Sequence, residues 1–159
     1  MLLFVLIVIG AVALDQISKL WVLHSLAPIG SYPLIKNVLH FTYVENRGAA
    51  FGMLADHRFV FMAVSTLAIV GLFLYVFIVK PKDKMEIVSL SFIIGGGIGN
   101  MIDRIFRGFV VDFIDVACIN FYVFNIADSF VCVGCGLMIL YLILAEIGEK
   151  KGANDAHEK

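Results

Sequence analysis

Four long apolar segments alternate with shorter polar pieces along the chain. The apolar segments cover residues 2–26, 60–79, 86–105 and 126–147. A helix of about 20 consecutive apolar residues is long enough to cross the hydrocarbon core of a bilayer. The pattern therefore predicts an all-α membrane protein with four transmembrane helices. They belong to a single domain, residues 1–148, and a polar tail at 149–159 is expected to be disordered.

The N-terminal segment is expected to be a membrane helix that stays in the protein. Its sequence, MLLFVLIVIGAVALDQ, contains AVA, which resembles a signal-peptide cleavage site. However, no Lys or Arg precedes the apolar run, and apolar residues resume at 20–23, beyond Asp15 and Lys19. These features favour a retained helix over a cleaved signal peptide.

The polar pieces between the segments predict the orientation of the chain. Four spans place both termini on one side of the membrane, together with the loop KPKDK at 80–84. Both sides carry equal numbers of basic residues, but the lysines are densest in this loop, which favours the cytoplasm. We expect both termini to be cytoplasmic and the connections 27–59 and 106–125 to lie outside. β-branched and aromatic residues before Asn46 predict a small sheet at the outer surface.

The composition supports lipid as the solvent of these segments. Hydrophobic residues make up 61% of the chain and charged residues 16%. A soluble domain has about 45–50% apolar and about 25% charged residues. The formal net charge is −1, and no basic tract with interleaved aromatics is present, so we expect no nucleic-acid partner.

Polar residues of three spans fall on shared helix faces. Residues three or four positions apart are neighbours on a helix surface. The clusters, in chain order, are Asp15 with Lys19; Asn100 with Asp103 and Arg104; and Asn125 with Asp128. All three lie toward the end of the bundle opposite KPKDK, as do Asn46 and Arg47. Ionisable residues inside a membrane are costly, so these are functional candidates by default.

Several of these residues also have a structural interpretation, which the spacing alone leaves open. Asp15 and Lys19 can form an ion pair, and Asn125 can cap the fourth helix. Arg104 can extend its guanidinium group to the membrane surface. Arg107 is interpreted as a solvated or interfacial charge. These structural interpretations give the residues no catalytic or substrate-binding role.

Asp112 and Asp128 differ from the other candidates because both stand among apolar residues, near the ends of two spans. Two carboxyl groups in one dry site retain a proton between them, because ionising both is unfavourable. The ionised group can take a proton from water while the protonated group polarises a carbonyl. This is the chemistry of aspartic peptide hydrolysis, with structural polar packing as the alternative. Asp115 is interpreted as an exposed loop carboxylate.

The remaining motifs indicate packing. Cys132 and Cys135 form C-x-x-C without a second pair or a nearby histidine, so the cysteines are interpreted as small side chains between helices. The four histidines lack metal-ligand spacing, and we expect neither a metal nor another cofactor. Gly95 and Gly99 form G-x-x-x-G, which lets a neighbouring helix approach closely.

Five short motifs in a fixed order identify a family that the chain resembles. They are D-Q-I-S-K at 15–19, N-R-G-A-A-F at 46–51, G-N-M-I-D-R at 99–104, V-V-D-F-I at 110–114 and F-N-I-A-D at 124–128. Together they resemble the bacterial lipoprotein signal peptidases, which are the type II signal peptidases. The resemblance covers roughly residues 12–145 on a chain with four predicted spans.

The resemblance implies a fold, an activity and a set of site residues. It implies an aspartic endopeptidase of the bacterial cytoplasmic membrane, with a small extracytoplasmic β-cradle and an active site near that face. The substrate would be a diacylglyceryl-prolipoprotein, cut just before the lipidated cysteine, with membrane lipid around a monomeric enzyme. The catalytic pair of the family pattern matches Asp112 and Asp128. Substrate-binding or supporting positions match Asn46, Gly48, Asn100, Arg104, Asn125, Asp15, Lys19, Asp103 and Gly99.

Two other classes of function are compatible with parts of the pattern. A proton- or ion-coupled transporter also uses intramembrane carboxylates. Against it, the chain has no internal repeat, and the half of the bundle facing KPKDK is interpreted as having no buried ionisable residue. A non-enzymatic membrane scaffold explains the glycines but not two unpaired aspartates at one end of the bundle. The apolar loop at 117–124 is expected to cover the mouth of the site.

Overall fold

The computed structural model describes residues 1–48, 58–119 and 121–157, with only the backbone described at 58–61 and 149–157. The long helices of this part of the chain are α1 (Leu2–Trp21), α2 (Arg58–Val79), α3 (Lys84–Phe106) and α4 (Ile126–His157). Its strands are β1 (Ser31–Ile35), β2 (Leu39–Asn46) and β3 (Val110–Asp115). A π-helical turn, Val22–Leu26, continues α1.

Four helical segments are long and apolar enough to cross a membrane, as the hydropathy pattern predicted. They are Leu2–Leu26, Met62–Val79, Lys84–Phe106 and Ile126–Gly148. Large apolar side chains such as Leu67, Ile78 and Ile139 lie exposed on the outer surface of the bundle. Such a surface is unfavourable in water and favourable in lipid. The predicted fold class, four membrane helices with a small sheet, is confirmed.

Helix α3 lies at the centre of the bundle, against α1, α2 and α4. Phe4, Val8, Val76, Leu90 and Ile94 form its buried apolar core. Asp83 immediately precedes the helix, and its side chain accepts hydrogen bonds from the first free amides of α3, as an N-cap residue does. Because α3 is surrounded by helices, its polar residues face protein rather than lipid.

Glycines allow α1 and α4 to approach α3 closely. A Cβ added at Gly95 would lie 2.8 Å from Cβ of Ala11, and one at Gly99 would lie 2.5 Å from Oδ2 of Asp15. A Cβ at Gly96 would collide with the carbonyl oxygen of Ala127 on α4. The G-x-x-x-G motif therefore packs against α1, and the intervening Gly96 packs against α4. This close packing was expected from the sequence.

We expect Gly99→Ala to destabilise the bundle, because the new methyl group has no space beside the Asp15 carboxylate. Overpacking of this kind lowers the free energy of unfolding by about 1–3 kcal/mol. Gly136→Ala on α4 is the matched control, since a Cβ there meets nothing within 4 Å. Thermal unfolding in detergent micelles measures both. A transition temperature for Gly99→Ala equal to that of Gly136→Ala would contradict the close contact.

The three strands form one antiparallel sheet in the order β1-β2-β3, at the end of the bundle where α3 ends and α4 begins. We call this end the sheet end. Asn46 of β2 is paired with Val110 of β3. On the other edge of β3, the Ile114 amide donates to the Phe124 carbonyl at 2.7 Å, and the Phe124 amide donates to the Ile114 carbonyl at 3.0 Å. This bridge holds the start of α4 beside β3.

One face of the sheet packs on the helices through a second apolar cluster. Its buried members are Val22, Leu26, Val111 and Phe113. The first two belong to the π-helical turn after α1, so this turn fixes the sheet relative to the bundle. The apolar side chains of β3 thereby anchor the strand that carries Asp112.

A buried carboxylate lies in the half of the bundle facing KPKDK, where the sequence had indicated none. Glu86 is 7% exposed, and its Oε1 accepts a hydrogen bond of 2.6 Å from the Tyr75 hydroxyl of α2. The expectation was wrong because Glu86, close to the polar loop at 80–84, is buried by a contact from another helix. The tyrosine that covers it comes from another helix, and spacing within α3 does not reveal that contact.

Three further expectations differ from the structure. Asp115 is half-buried in β3 and accepts a hydrogen bond of 2.9 Å from Thr42 Oγ1, so it is not an exposed loop carboxylate. Cys118, Cys132 and Cys135 are exposed rather than packed between helices. The backbone of α4 is helical through His157, where an irregular tail had been expected from residue 149. Glu and Lys are good helix formers, and they continue the helix.

Candidate active site

Asp112 lies in β3 and is 2% exposed. Its Oδ1 accepts a hydrogen bond of 2.6 Å from Asn125 Nδ2, and its Oδ2 accepts one of 2.9 Å from Asn46 Nδ2. Asn46 is itself held, since its Oδ1 accepts from the Gly48 amide at 3.1 Å. Both carboxyl oxygens of Asp112 are thus fixed by neutral amides.

Asp128 lies in the first turn of α4, where Asn125 is the residue before the helix. The Asp128 amide donates to Asn125 Oδ1 at 2.9 Å, and the Asn125 amide donates to Asp128 Oδ2 at 3.2 Å. This reciprocal pair is a capping box. Asp128 is half-buried, and its position at a helix N-terminus favours a negative charge. Asn125 therefore caps α4 and also contacts Asp112.

Asn100 and Asn125 connect the two carboxyl groups. Asn100 Nδ2 donates to Asp128 Oδ1 at 2.7 Å, while Asn125 Nδ2 donates both to Asp112 Oδ1 and to Asn100 Oδ1, at 2.6 and 3.1 Å. Two amides thus form a continuous hydrogen-bonded path from one aspartate to the other. The structure brings Asp112 and Asp128 into a single polar cluster at the sheet end.

The surroundings of Asp112 favour its protonated form. Burial raises the pKa of Asp112 to about 6, and the nearby charge of Asp128 also acts to raise it. The hydrogen bonds from Asn46 and Asn125 and the positive charge of Lys19 act in the opposite direction on this pKa. Desolvation is the largest cause. Asp112 is therefore the member that keeps its proton to higher pH than a free aspartate does.

Lys19 is fully buried and uses all three of its N–H groups. Its Nζ lies 2.9 Å from Asp15 Oδ2 and 3.1 Å from Asp103 Oδ2, and it donates to Asn100 Oδ1 at 2.9 Å. The ion-pair interpretation of Asp15 and Lys19 thus describes a real contact. Through Asn100, the same ammonium group also orients the amide that binds Asp128.

Asp15 and Asp103 hold the backbone beside the two aspartates. Oδ1 of Asp15 accepts from the amide of Ala127 at 3.1 Å, and Oδ2 of Asp103 accepts from the amide of Val111 at 3.0 Å. Each of these amides belongs to the residue immediately before Asp128 or Asp112. Buried carboxylates on α1 and α3 therefore fix the places of α4 and β3 at the site.

Arg104 contributes positive charge to this cluster, whereas Arg47 contacts other residues of the sheet end. Arg104 is half-buried on α3, donates to the Asn100 carbonyl at 3.2 Å and interacts electrostatically with Asp128 and Asp112. Arg47 pairs with exposed Glu45 at 2.7 Å, and its guanidinium carbon lies 5.5 Å from the centre of the Phe109 ring. The final residues of the N-R-G-A-A-F motif, 49–51, lie outside the described residues.

Two contributors to the cluster, Gln16 and Arg107, were missed from the sequence. Gln16 Nε2 lies within 3.0–3.2 Å of Asp15 Oδ2, the Gly99 carbonyl and Asp103 Oδ1. The Arg107 side chain is 19% exposed, pairs with Asp103 and donates to Gln16 Oε1 at 3.2 Å. The interpretation of Arg107 as a solvated or interfacial charge therefore missed its contacts with Asp103 and Gln16. The signal that could have found this contact is the four-residue spacing of Asp103 and Arg107.

Among the residues that the structure describes, every buried side-chain polar atom of the cluster has a partner. The described residues also contain no group of three or more His, Cys, Asp or Glu side chains arranged to hold a metal ion. The chemistry that this arrangement itself supports is proton transfer between two carboxyl groups and a third molecule.

Comparison with known proteins gives matches along nearly the whole chain. The family described as Signal peptidase (SPase) II matches residues 7–144. The lipoprotein signal peptidase of Clostridioides difficile (strain 630) is 45% identical over 145 residues, which cover 91% of this chain and 97% of that protein. The lipoprotein signal peptidase of Halalkalibacterium halodurans is 37% identical over 155 residues, covering 96% and 99% of the two chains.

Two solved structures have a similar fold. One, described as a bacterial membrane enzyme determined by the in meso method at 2.3 Å resolution, has a TM-score of 0.81 at 32% identity. It covers 88% of this chain and 87% of its own. A second, with the same description at 1.9 Å resolution, has a TM-score of 0.78 at 32% identity and covers 87% and 91%.

Proposed function

The chain belongs to the signal peptidase II family, and on that premise we propose that it is an aspartic endopeptidase with Asp112 and Asp128 as its catalytic pair. It is a multi-pass bacterial membrane peptidase that removes signal peptides from lipoprotein precursors. The observation that carries the aspartic mechanism is the path of two amides, Asn100 and Asn125, that joins the carboxyl groups.

The different burial of the two aspartates supports a proposed assignment of their roles. Asp112 is buried and enters the reaction protonated, whereas Asp128 is half-buried at a helix N-terminus and enters ionised. Asp128 takes a proton from water as the water oxygen bonds to the scissile carbonyl carbon, and Asp112 gives its proton to the carbonyl oxygen. Asp112 then recovers a proton from the resulting diol while Asp128 protonates the leaving nitrogen. The C–N bond breaks, and both carboxyl groups return to their starting states.

The position of the pair favours a lipid-bearing substrate. Asp128 lies at the start of the span Ile126–Gly148, and Asp103 and Arg104 lie near the end of the span Lys84–Phe106. The site is therefore at the depth where acyl chains meet the headgroups. We propose that the substrate is a diacylglyceryl-prolipoprotein, cut just before the lipidated cysteine. In this proposal the enzyme is a monomer without a cofactor.

We also propose an orientation in the membrane. The start of α1, the last described residues of α4 and the lysine-rich loop at 80–84 lie at the end of the bundle away from the sheet. Lysine-rich short loops favour the cytoplasm, so the sheet end faces outward.

Phe121 and Tyr122 are about half exposed in the segment before α4, at 50% and 54%. We propose that these rings contact the acyl chains and restrict water at the mouth of the site. Asn120 lies outside the described residues.

One experiment tests the proposed activity directly. The purified enzyme is incubated with a diacylated prolipoprotein and, separately, with its unlipidated form, and the products are sequenced by mass spectrometry. We expect a single cut just before the cysteine in the diacylated substrate and little cleavage of the other. Cleavage at a different bond, or equal cleavage of both forms, would contradict the proposal.

The protonation of Asp112 predicts the alkaline limb of the pH profile. Because the pKa of Asp112 is about 6, the active form of the free enzyme is lost as pH rises through this value. We expect kcat/KM to fall about tenfold per pH unit above it. A bound lipid substrate excludes more water, which raises the pKa of Asp112 further, so the limb in kcat should lie at higher pH. The fitted values belong to the pair as a unit.

The measurement is a set of kcat and kcat/KM values from about pH 4 to about pH 9 at constant ionic strength. An alkaline limb that lies at the same pH in both profiles would show that substrate binding does not change the environment of Asp112. A kcat/KM value that rises continuously through about pH 6 would contradict the assignment of the proton to this residue.

A further inference from the structure

Gln16 and Arg107 are two polar side chains to which the proposed mechanism gives no role. Neither matches a site position implied by the family resemblance. Both contact Oδ1 of Asp103, while Oδ2 of the same carboxylate accepts from the Val111 amide at 3.0 Å. Arg107 also donates to Gln16 Oε1 at 3.2 Å, which closes the arrangement. One oxygen of Asp103 is thus fixed by side chains, and the other fixes β3.

Arg107 brings a second positive charge into direct contact with the buried carboxylates. Asp15 and Asp103 are fully buried carboxylates, and one fully buried ammonium group, Lys19, contacts both. Arg107 supplies the second positive charge. Without it, Lys19 would be the one cation among the described residues in direct contact with these two carboxylates, and Lys19 also contacts Asn100. Asn100 is the residue that donates to Asp128.

We propose that Gln16 and Arg107 are positioning residues that fix the Asp103 carboxylate, so that Asp112 on β3 stays opposite Asp128 on α4. This inference rests on the proposed function, since it assigns a role in the same reaction. Arg107 acts in two ways: it orients Asp103 by a direct contact, and it keeps the buried cluster neutral. Gln16 acts by geometry alone, because it carries no charge.

Few charged side chains lie around Asp112 and Asp103, and they determine how the charge of Arg107 affects Asp112. The charged side chains facing Asp112 are Asp128 on α4, Lys19 on α1 and Arg104 on α3. Those facing Asp103 are Lys19 and Asp15 on α1 and Arg107 and Arg104 on α3. Loss of the Arg107 charge leaves the group with an excess negative charge. Ionising Asp112 then becomes harder, so the alkaline limb of activity moves to higher pH.

Three variants separate geometry from charge. Arg107→Met should lower kcat about tenfold to a hundredfold, because a displacement of about 1 Å at a reacting group costs about a hundredfold, and should leave KM within about twofold. It should also move the alkaline limb upward. Gln16→Met should lower kcat without moving the limb. Arg107→Lys should restore the position of the limb but only part of kcat, since one nitrogen of Arg107, Nη1, contacts both Asp103 and Gln16, and the shorter lysine side chain does not place its ammonium group at the same point.

The matched control is Lys36→Met, which removes the same charge from an exposed turn between β1 and β2. All rates are normalised to folded monodisperse protein, and the substrate is the diacylated prolipoprotein. A kcat for Arg107→Met and Gln16→Met equal to that of Lys36→Met would overturn the inference. The inference would also be overturned if the loss of activity were explained wholly by a smaller amount of folded protein and the pH profile of Arg107→Met were unchanged. Failure of the unaltered enzyme to cleave this substrate would instead contradict the proposed function.

Discussion

Asp112→Asn is expected to abolish cleavage of a diacylated prolipoprotein while the protein still folds and inserts. Asparagine has nearly the same volume as aspartate but cannot give a proton to the scissile carbonyl. Loss of a general acid or base lowers kcat by about 10²–10⁴-fold. The new amide would face the donor of Asn46 or Asn125, and rotation of Asn46 to accept from it would give up the hydrogen bond from the Gly48 amide, so we also expect a small loss of stability. Single-turnover cleavage measures the loss, and thermal unfolding checks the fold.

Asp115→Asn is the matched control, since Asp115 lies on the same strand and its contact is with Thr42 rather than with the pair. We expect its rate to equal that of the unaltered enzyme. Asp128→Asn should resemble Asp112→Asn. Because the two carboxyl groups act as a unit, the double variant should lose little more than either single variant. A double variant whose losses multiply would mean that the two residues act independently.

Lys19→Met is expected to destabilise the protein more than Gly99→Ala or Asp112→Asn does. Lys19 is fully buried and contacts two fully buried carboxylates, Asp15 and Asp103. Removing one partner of a buried ion pair leaves an uncompensated charge and costs about 3–5 kcal/mol. Cleavage should also fall, because Asn100 loses the ammonium group that orients its amide toward Asp128. Thermal unfolding in detergent micelles measures the decrease in transition temperature.

Two controls separate the loss of charge from the loss of packing. Lys36→Met removes an exposed lysine and should change the free energy of unfolding by less than about 0.5 kcal/mol. The pair Lys19→Met with Asp15→Asn should recover part of the loss, since asparagine can still accept from the Ala127 amide without a buried charge. If the double variant recovers no stability, the effect of Lys19 comes from packing rather than from charge.

The arrangement of helices was predictable because the bilayer imposes it. A spanning segment must be apolar and about 20 residues long, so its limits are visible in the sequence. The first span, Leu2–Leu26, was located correctly even though Asp15 and Lys19 interrupt it. The close contact of Gly99 with α1 was also predictable, because glycine is the smallest residue. The extension of α4 to His157 was not predictable, because the polar tail has no apolar face that would indicate a helix.

The site was predictable where spacing along one helix carries the information. The shared faces of Asp15 with Lys19 and of Asn125 with Asp128 were visible in this way. Contacts across helices were not, because they depend on how one helix is placed along another. Gln16 is a neutral side chain whose partners come from α3 as well as from its own helix, and no pattern on α1 distinguishes it from an interfacial residue. The hydrogen bond from the Val111 amide to Asp103 could not be predicted for the same reason.

The central claim is that Asp112 and Asp128 share one proton, and an infrared titration tests it most directly. The carboxylic C=O band of Asp112 is identified by its absence in Asp112→Asn, and it is followed against pH. We predict that the band disappears with a pKa of about 6, and at lower pH in Asp128→Asn, because loss of the neighbouring negative charge lowers the pKa of Asp112. An Asp112 titration that is unchanged in Asp128→Asn would contradict the claim.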